Sequence, residues 1–177
     1  MKTLLTCMAL AMCGQALAQK DVALTLGSGK EASFAQVAWR VSDHEGLQEL
    51  VRPYGLVSQI EGSVGVLRGR KAGASSGFLV GGVMPVIRRY WSSNELQSRY
   101  FFEAGLGVNL FGGQRINNAT KAGTHFQFGE ILGFGIALDN KGKVEIGYRI
   151  QHFSNGGITD ENPGVDLHLL RVKVTLD

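Results

Sequence analysis

Beyond its first eighteen residues the chain alternates large apolar side chains with small or polar ones. From Phe102 to Leu110, Phe102, Ala104, Leu106, Val108 and Leu110 fall on one parity, and Glu103, Gly105, Gly107 and Asn109 on the other. Ala35, Val37 and Trp39 oppose Gln36, Ala38 and Arg40, and Ile60, Val64 and Val66 oppose Gln59, Glu61 and Ser63. Leu170, Val172, Val174 and Leu176 oppose Arg171, Lys173 and Thr175. A period of two is the mark of a strand with two unlike faces. Eight strands are predicted, over residues 20–28, 32–41, 55–69, 77–91, 99–111, 124–138, 143–155 and 164–176. Turn-forming residues separate them, among them Gly27-Ser28-Gly29, Gly112-Gly113, Asp139-Asn140-Lys141-Gly142 and Gly156-Gly157. Helical spacing is confined to one or two turns over Gly46 to Arg52.

The contents of each face decide which one is inside. A soluble barrel turns its apolar side chains inward and needs a richly charged exterior, but only 19% of the residues are charged. Gly105, Gly107, Gly133, Gly135 and Gly147 share the less apolar face, where a narrow interior needs small residues beside a few charges. The pattern therefore predicts an all-β fold, an eight-stranded antiparallel transmembrane β-barrel with apolar side chains toward lipid. Strands of this length cross the hydrocarbon when tilted, and closure leaves no unpaired edge in lipid. Glu61, Glu103, Arg40, Arg149, Arg171 and Lys173 point inward and are expected to form a salt-bridged filling. Pro85, inside the fourth strand, predicts a bulge or a local break.

Composition adds the compartment. Residues 1–18 have a basic start at Lys2, a short apolar stretch and Ala16-Leu17-Ala18, which read as a signal peptide cleaved after Ala18. Residues 19–177 then form a single barrel domain. Both cysteines, Cys7 and Cys13, leave with the signal, so no disulfide framework is expected. Acylation of Cys13 in a lipoprotein is the competing reading, disfavoured by the bulky Met12 before it. A formal charge of +3 with scattered basic residues argues against nucleic acid as a partner. No cofactor is expected, and no His or acidic spacing suggests a metal.

An even-stranded barrel has both termini in the periplasm, so the turn between the seventh and eighth strands faces outward from the cell. The lipid-facing parity of Val144, Ile146, Tyr148 and Ile150 continues to His152 and Ser154. Counting back from Leu176 in the eighth strand puts His168 and Asp166 on the same face. A hairpin centred on Thr159 sets Asp166 opposite His152. Carboxylate, imidazole and hydroxyl converge in the order that activates a serine nucleophile. Glu130 shares the lipid-facing parity near the same end, either touching substrate or pointing to solvent, and His168 reads as an interface residue.

The run His152-Phe153-Ser154-Asn155-Gly156-Gly157, with an acidic residue fourteen positions after His152, resembles the signature of the PagL family, the lipid A 3-O-deacylases. Phe102 to Val108 resembles a central strand of that family. The resemblance implies an outer-membrane esterase that removes the 3-O-linked acyl chain of lipid A. By that likeness Ser154 is the nucleophile, His152 the base and Asp166 the triad acid where the family has Glu. Asn155 and the amide of Gly157 fall where the family forms its oxyanion hole. The expected partners are lipid A or lipopolysaccharide as substrate, the outer membrane, and optionally a second copy in a homodimer. The site is expected at the outer-leaflet, extracellular end, with grooves between Leu170, Ile150 and their neighbours to take the acyl chain. Two alternatives compete: a non-enzymatic barrel serving as adhesin or structural protein, and a lipid A transacylase.

Overall fold

The computed structural model describes residues 20–42, 45–70, 77–92, 99–139 and 143–176. The expected signal peptide, 1–18, with Cys13 and the cleavage point after Ala18, lies outside the described residues, as do most of the turns over 73–77 and 139–142. Eight strands follow one another: β1 (Lys20–Ser28), β2 (Ala32–Ser42), β3 (Val57–Gly69), β4 (Phe78–Ser92), β5 (Arg99–Phe111), β6 (Phe126–Ala137), β7 (Val144–Ser154) and β8 (Val165–Leu176). Each pairs antiparallel with the next, and β8 returns to β1, so the sheet closes on itself. The strand ends fall within two residues of those the alternation predicts. Between β2 and β3 lies α1 (Glu45–Val51), followed by a single 3-10 turn over Arg52–Tyr54. Gln48 of α1 fastens this connection to β3: its Oε1 accepts from the Ser58 amide at 2.8 Å and its Nε2 donates to the Leu56 carbonyl at 3.2 Å.

The faces are inverted relative to a soluble barrel. Leu132 is 68% exposed, Leu170 65% and Leu110 63% on the outer wall, while Arg88, Glu103, Arg149 and Glu61 are buried within. A continuous apolar exterior of this extent has no stable place in water and matches the lipid-facing band of a membrane barrel. Inside, the charges pair. Arg88 donates to Glu103 at 2.7 Å and to Glu145 at 2.9 Å. Arg149 bridges Glu61, at 3.0 and 3.2 Å, and Glu103. Arg171 reaches Glu61 at 2.8 Å, Lys173 reaches Glu145 at 3.1 Å, and Arg40 reaches Asp21 at 2.7 Å. Mutual pairing offsets the desolvation that each charge would otherwise carry alone.

The interior has a second layer that alternation does not reveal. At the end bearing the β1–β2, β3–β4, β5–β6 and β7–β8 connections, Phe34, Leu67, Val80, Phe111, Phe153 and Leu167 form an apolar plug. Phe153 stacks edge-on against both Phe34 and Phe111, with centroids 5.7 and 5.2 Å away. Here both parities of a strand are apolar, so side-chain size alone does not separate lipid from lumen. Pro85 behaves as a break and not as a bulge. Pairing with β3 continues through Ile60↔Pro85, whereas on the β5 side it skips from Val83↔Val108 to Val86↔Gly105 without a change of register. A bulge does occur, between Arg40 and Ser42 of β2, next to α1.

Candidate active site

The site is set by register. Strand β7 pairs with β8 through His152↔Asp166 and with β6 through Glu130↔His152 and Phe128↔Ser154. One row of outward side chains therefore runs Glu130, His152, Asp166 across three strands, with Ser154 one step nearer the β7–β8 turn on the same face. His152 Nδ1 lies 2.7 Å from Asp166 Oδ1. With the carboxylate accepting, the proton sits on Nδ1, and Nε2 is left as the basic nitrogen. His152 and Ser154 are half-buried and Asp166 is exposed, so the pair is open to whatever lies against the outer wall.

Two glycines shape the ground around these side chains. Gly164 has a left-handed backbone, φ +69°, and a Cβ built there would come within 2.6 Å of His152 Cε1. Gly156, φ +65°, would press a Cβ to 2.8 Å from the ring of Phe128. Gly156 is legible in the sequence as a turn former, whereas Gly164 is not marked by the alternation. The signal for Gly164 was its place after Pro163, two residues before the candidate acid.

Asn155 and Gly157 sit differently from a ready oxyanion hole. Asn155 follows the inward parity of Gln151 and Phe153 and is fully buried. Its amide nitrogen already donates to the Ala122 carbonyl at 3.2 Å, Thr159 Oγ1 at 2.9 Å and the Glu161 carbonyl at 2.8 Å. Its Oδ1 accepts the Gly157 amide at 2.9 Å. In this structure both donors are engaged with the loop, and Asn155 ties the β7–β8 turn to the β5–β6 loop. Strand alternation is the reason: a residue adjacent to Ser154 points away from it.

A groove of about 540 Å³ opens beside His152 on the outer wall, lined by Glu130, Leu132, Ile150, Leu106, Pro85 and, at its far end, Leu47 of α1. A second hollow of about 420 Å³ continues past Ile150, Leu132, Ala104, Phe134 and Tyr148. Ile150 lines both, as expected; Leu170 lines neither, because the depression runs from β7 toward β4 and not toward β8. His168 faces outward too, but it is held by the Tyr148 hydroxyl and stacked on that ring, one row from the His152–Asp166 pair. Among the described residues, no group of three or more His, Cys, Asp or Glu is arranged to hold a metal ion.

The chain is similar to known proteins in sequence and in fold. The family described as Lipid A 3-O-deacylase (PagL) matches residues 35–175. The chain is 37% identical over 79 residues to the lipid A deacylase PagL of Bordetella bronchiseptica, a stretch covering 45% of this chain and 40% of that protein. It is 33% identical over 76 residues to the lipid A deacylase PagL of Pseudomonas aeruginosa, covering 43% of this chain and 42% of that protein. The aligned stretches thus span about two fifths of these curated relatives. In three dimensions the barrel superposes on the crystal structure of the outer membrane enzyme PagL with a TM-score of 0.67 at 20% identity, covering 88% of this chain and 99% of the other.

Proposed function

This chain belongs to the lipid A 3-O-deacylase (PagL) family, and from that premise we propose that it hydrolyses the 3-O-linked acyl chain of lipid A with Ser154 as nucleophile, His152 as base and Asp166 as the acid that orients it. The observation that carries the reading is the 2.7 Å contact of His152 Nδ1 with Asp166 Oδ1 on the lipid-facing wall, beside Ser154 and at the head of an apolar groove. Buried polar groups usually satisfy one another inside a fold; these instead line the surface that meets the bilayer.

The steps follow from the residues. Ser154 Oγ attacks the ester carbonyl while His152 Nε2 takes its proton, and Asp166 stabilises the imidazolium so formed. The tetrahedral intermediate collapses by breaking the bond to the sugar oxygen, which receives the proton from His152. Water, activated by the same nitrogen, then attacks the acyl-serine and releases the fatty acid. Gly157 serves the oxyanion: its Cα faces open space, and its amide exchanges Asn155 Oδ1 for the developing negative charge. Asn155 serves by holding the turn in shape. We place the site at the extracellular end, because outer-leaflet lipid then reaches Ser154 by lateral diffusion without leaving the membrane.

The test is the mass of lipid A from cells that express the chain or its Ser154→Ala variant. Loss of one O-linked acyl chain only with the unaltered protein supports hydrolysis. A gained chain supports transfer instead, and an unchanged mass supports a non-enzymatic barrel.

A further inference from the structure

Glu130 is a carboxylate in a place where carboxylates are costly. It stands on the outward face of β6, in register with His152 on one side and Leu106 on the other. It is exposed, and no hydrogen bond or ion pair holds it among the described residues. Apart from His152, its companions in the groove are apolar: Leu106, Ile131, Leu132, Ile150 and Pro85. An unpartnered carboxylate against such a surface loses hydration and gains nothing in return. The interior salt network is closed to it, since Glu61, Glu103 and Glu145 supply the acids there. Nor is it needed to orient His152, whose Nδ1 is already taken by Asp166.

The groove supplies the missing partner. His152 stands at one end and Pro85 of β4 at the other, three strand spacings away, each about 4.8 Å. A chain whose carbonyl carbon sits at Ser154 and whose tail lies in this groove must cross β6 at Glu130 before it reaches Leu106. The portion over Glu130 is the first few carbons. An unsubstituted chain sets methylenes against the carboxylate there. A chain with a hydroxyl near its carboxyl end donates a hydrogen bond to it, and hydrogen bonds to charged acceptors are the stronger kind.

We infer that Glu130 is a specificity-determining residue that accepts a hydrogen bond from a hydroxyl near the carboxyl end of the acyl chain being released. The inference rests on the ester-hydrolase reading above. It makes the enzyme select hydroxyacyl over plain acyl esters, while bond making and breaking stay with Ser154 and His152.

The experiment uses the full-length barrel in detergent micelles and two synthetic esters of one glucosamine derivative, equal in chain length, one with a 3-hydroxyl and one without. The expected preference of the unaltered enzyme for the hydroxyl ester is about tenfold or more in kcat/KM. Glu130→Leu brings that ratio close to one, and Glu130→Gln, which keeps an accepting oxygen, retains part of it. Heat-modifiable gel migration checks that each variant is folded. A ratio that survives in Glu130→Leu, whether or not both rates fall, overturns the inference and leaves the hydrolase reading standing. Absence of Ser154-dependent cleavage of either ester overturns the hydrolase reading, and this inference with it.

Discussion

Gly164 lies against the imidazole of His152, so closely that a Cβ at position 164 would meet Cε1 at 2.6 Å and Nε2 at 3.2 Å. The proposed base is thus positioned on one side by a carboxylate and on the other by the absence of a side chain. Gly164→Ala should push the ring off Asp166, and holding an alanine in the left-handed conformation alone costs about 1–2 kcal/mol. The expected result is a fall in kcat of at least tenfold with the barrel still heat-modifiable. Wild-type turnover in Gly164→Ala would mean that the ring has room to spare.

Asp166→Asn tests the acid. The amide keeps the shape but removes the charge and favours the wrong tautomer of His152; in a soluble serine protease the equivalent change costs about 10⁴ in turnover. A loss of at least a hundredfold is expected here, smaller because Asp166 is exposed. Asp166→Glu should retain most activity. Full activity of Asp166→Asn in a lipid A deacylation assay would remove Asp166 from the triad, leaving Asp160 and Glu161 of the same turn as the next acids to test.

Ser154→Ala and His152→Ala should each abolish deacylation, and the double variant should be little worse than either, because a triad acts as a unit. Multiplicative losses in single-turnover kinetics would show instead that the two side chains act independently.

How much of this was legible beforehand follows from what alternation can encode. A strict period of two fixes both the strands and the partner of each residue in a hairpin, so the pairing of His152 with Asp166 could be counted from the turn. It does not encode which donors a turn consumes. Asn155 carries the right chemistry next to Ser154, yet inward parity commits its amide to Ala122, Thr159 and Glu161. The apolar plug around Phe153 was hidden for a related reason: lumen and lipid both accept Phe and Leu at that level. The groove toward Pro85 depends on long-range adjacency of β4 to β7 across two intervening strands, which no local pattern states.

The interior ion network makes a separate prediction about stability. Arg149→Met leaves Glu61 and Glu103 short of a buried partner, a loss that runs to about 3–5 kcal/mol when one member of a buried pair is removed. Its unfolding midpoint, followed by heat-modifiable migration, should fall clearly below that of the unaltered barrel. Removing acid and base together, in Arg149→Met with Glu103→Gln, should recover part of that loss. A midpoint unmoved by Arg149→Met would mean that Arg88 and Arg171 suffice for both carboxylates.

The direction in which the site faces can be read from one adjacent pair. Ile150 is 45% exposed on the outer wall and lines both the groove beside His152 and the hollow that continues it, whereas Gln151 is buried in the lumen. Ile150→Lys removes an apolar contact from the acyl path and sets a charge against lipid, at a cost of up to about 2–4 kcal/mol at the midplane and less toward the interface. A substrate arriving through the bilayer should feel this change strongly, with KM raised or kcat/KM lowered at least tenfold. Gln151→Asn alters a side chain that such a substrate never touches, so its effect should be several-fold smaller. If the site instead opened into the lumen, the order would reverse, because the acyl chain would then run past Gln151 and the plug around Phe153. Measuring both variants on lipid A in mixed micelles therefore separates a membrane-facing esterase from a luminal one through residues that carry none of the chemistry themselves.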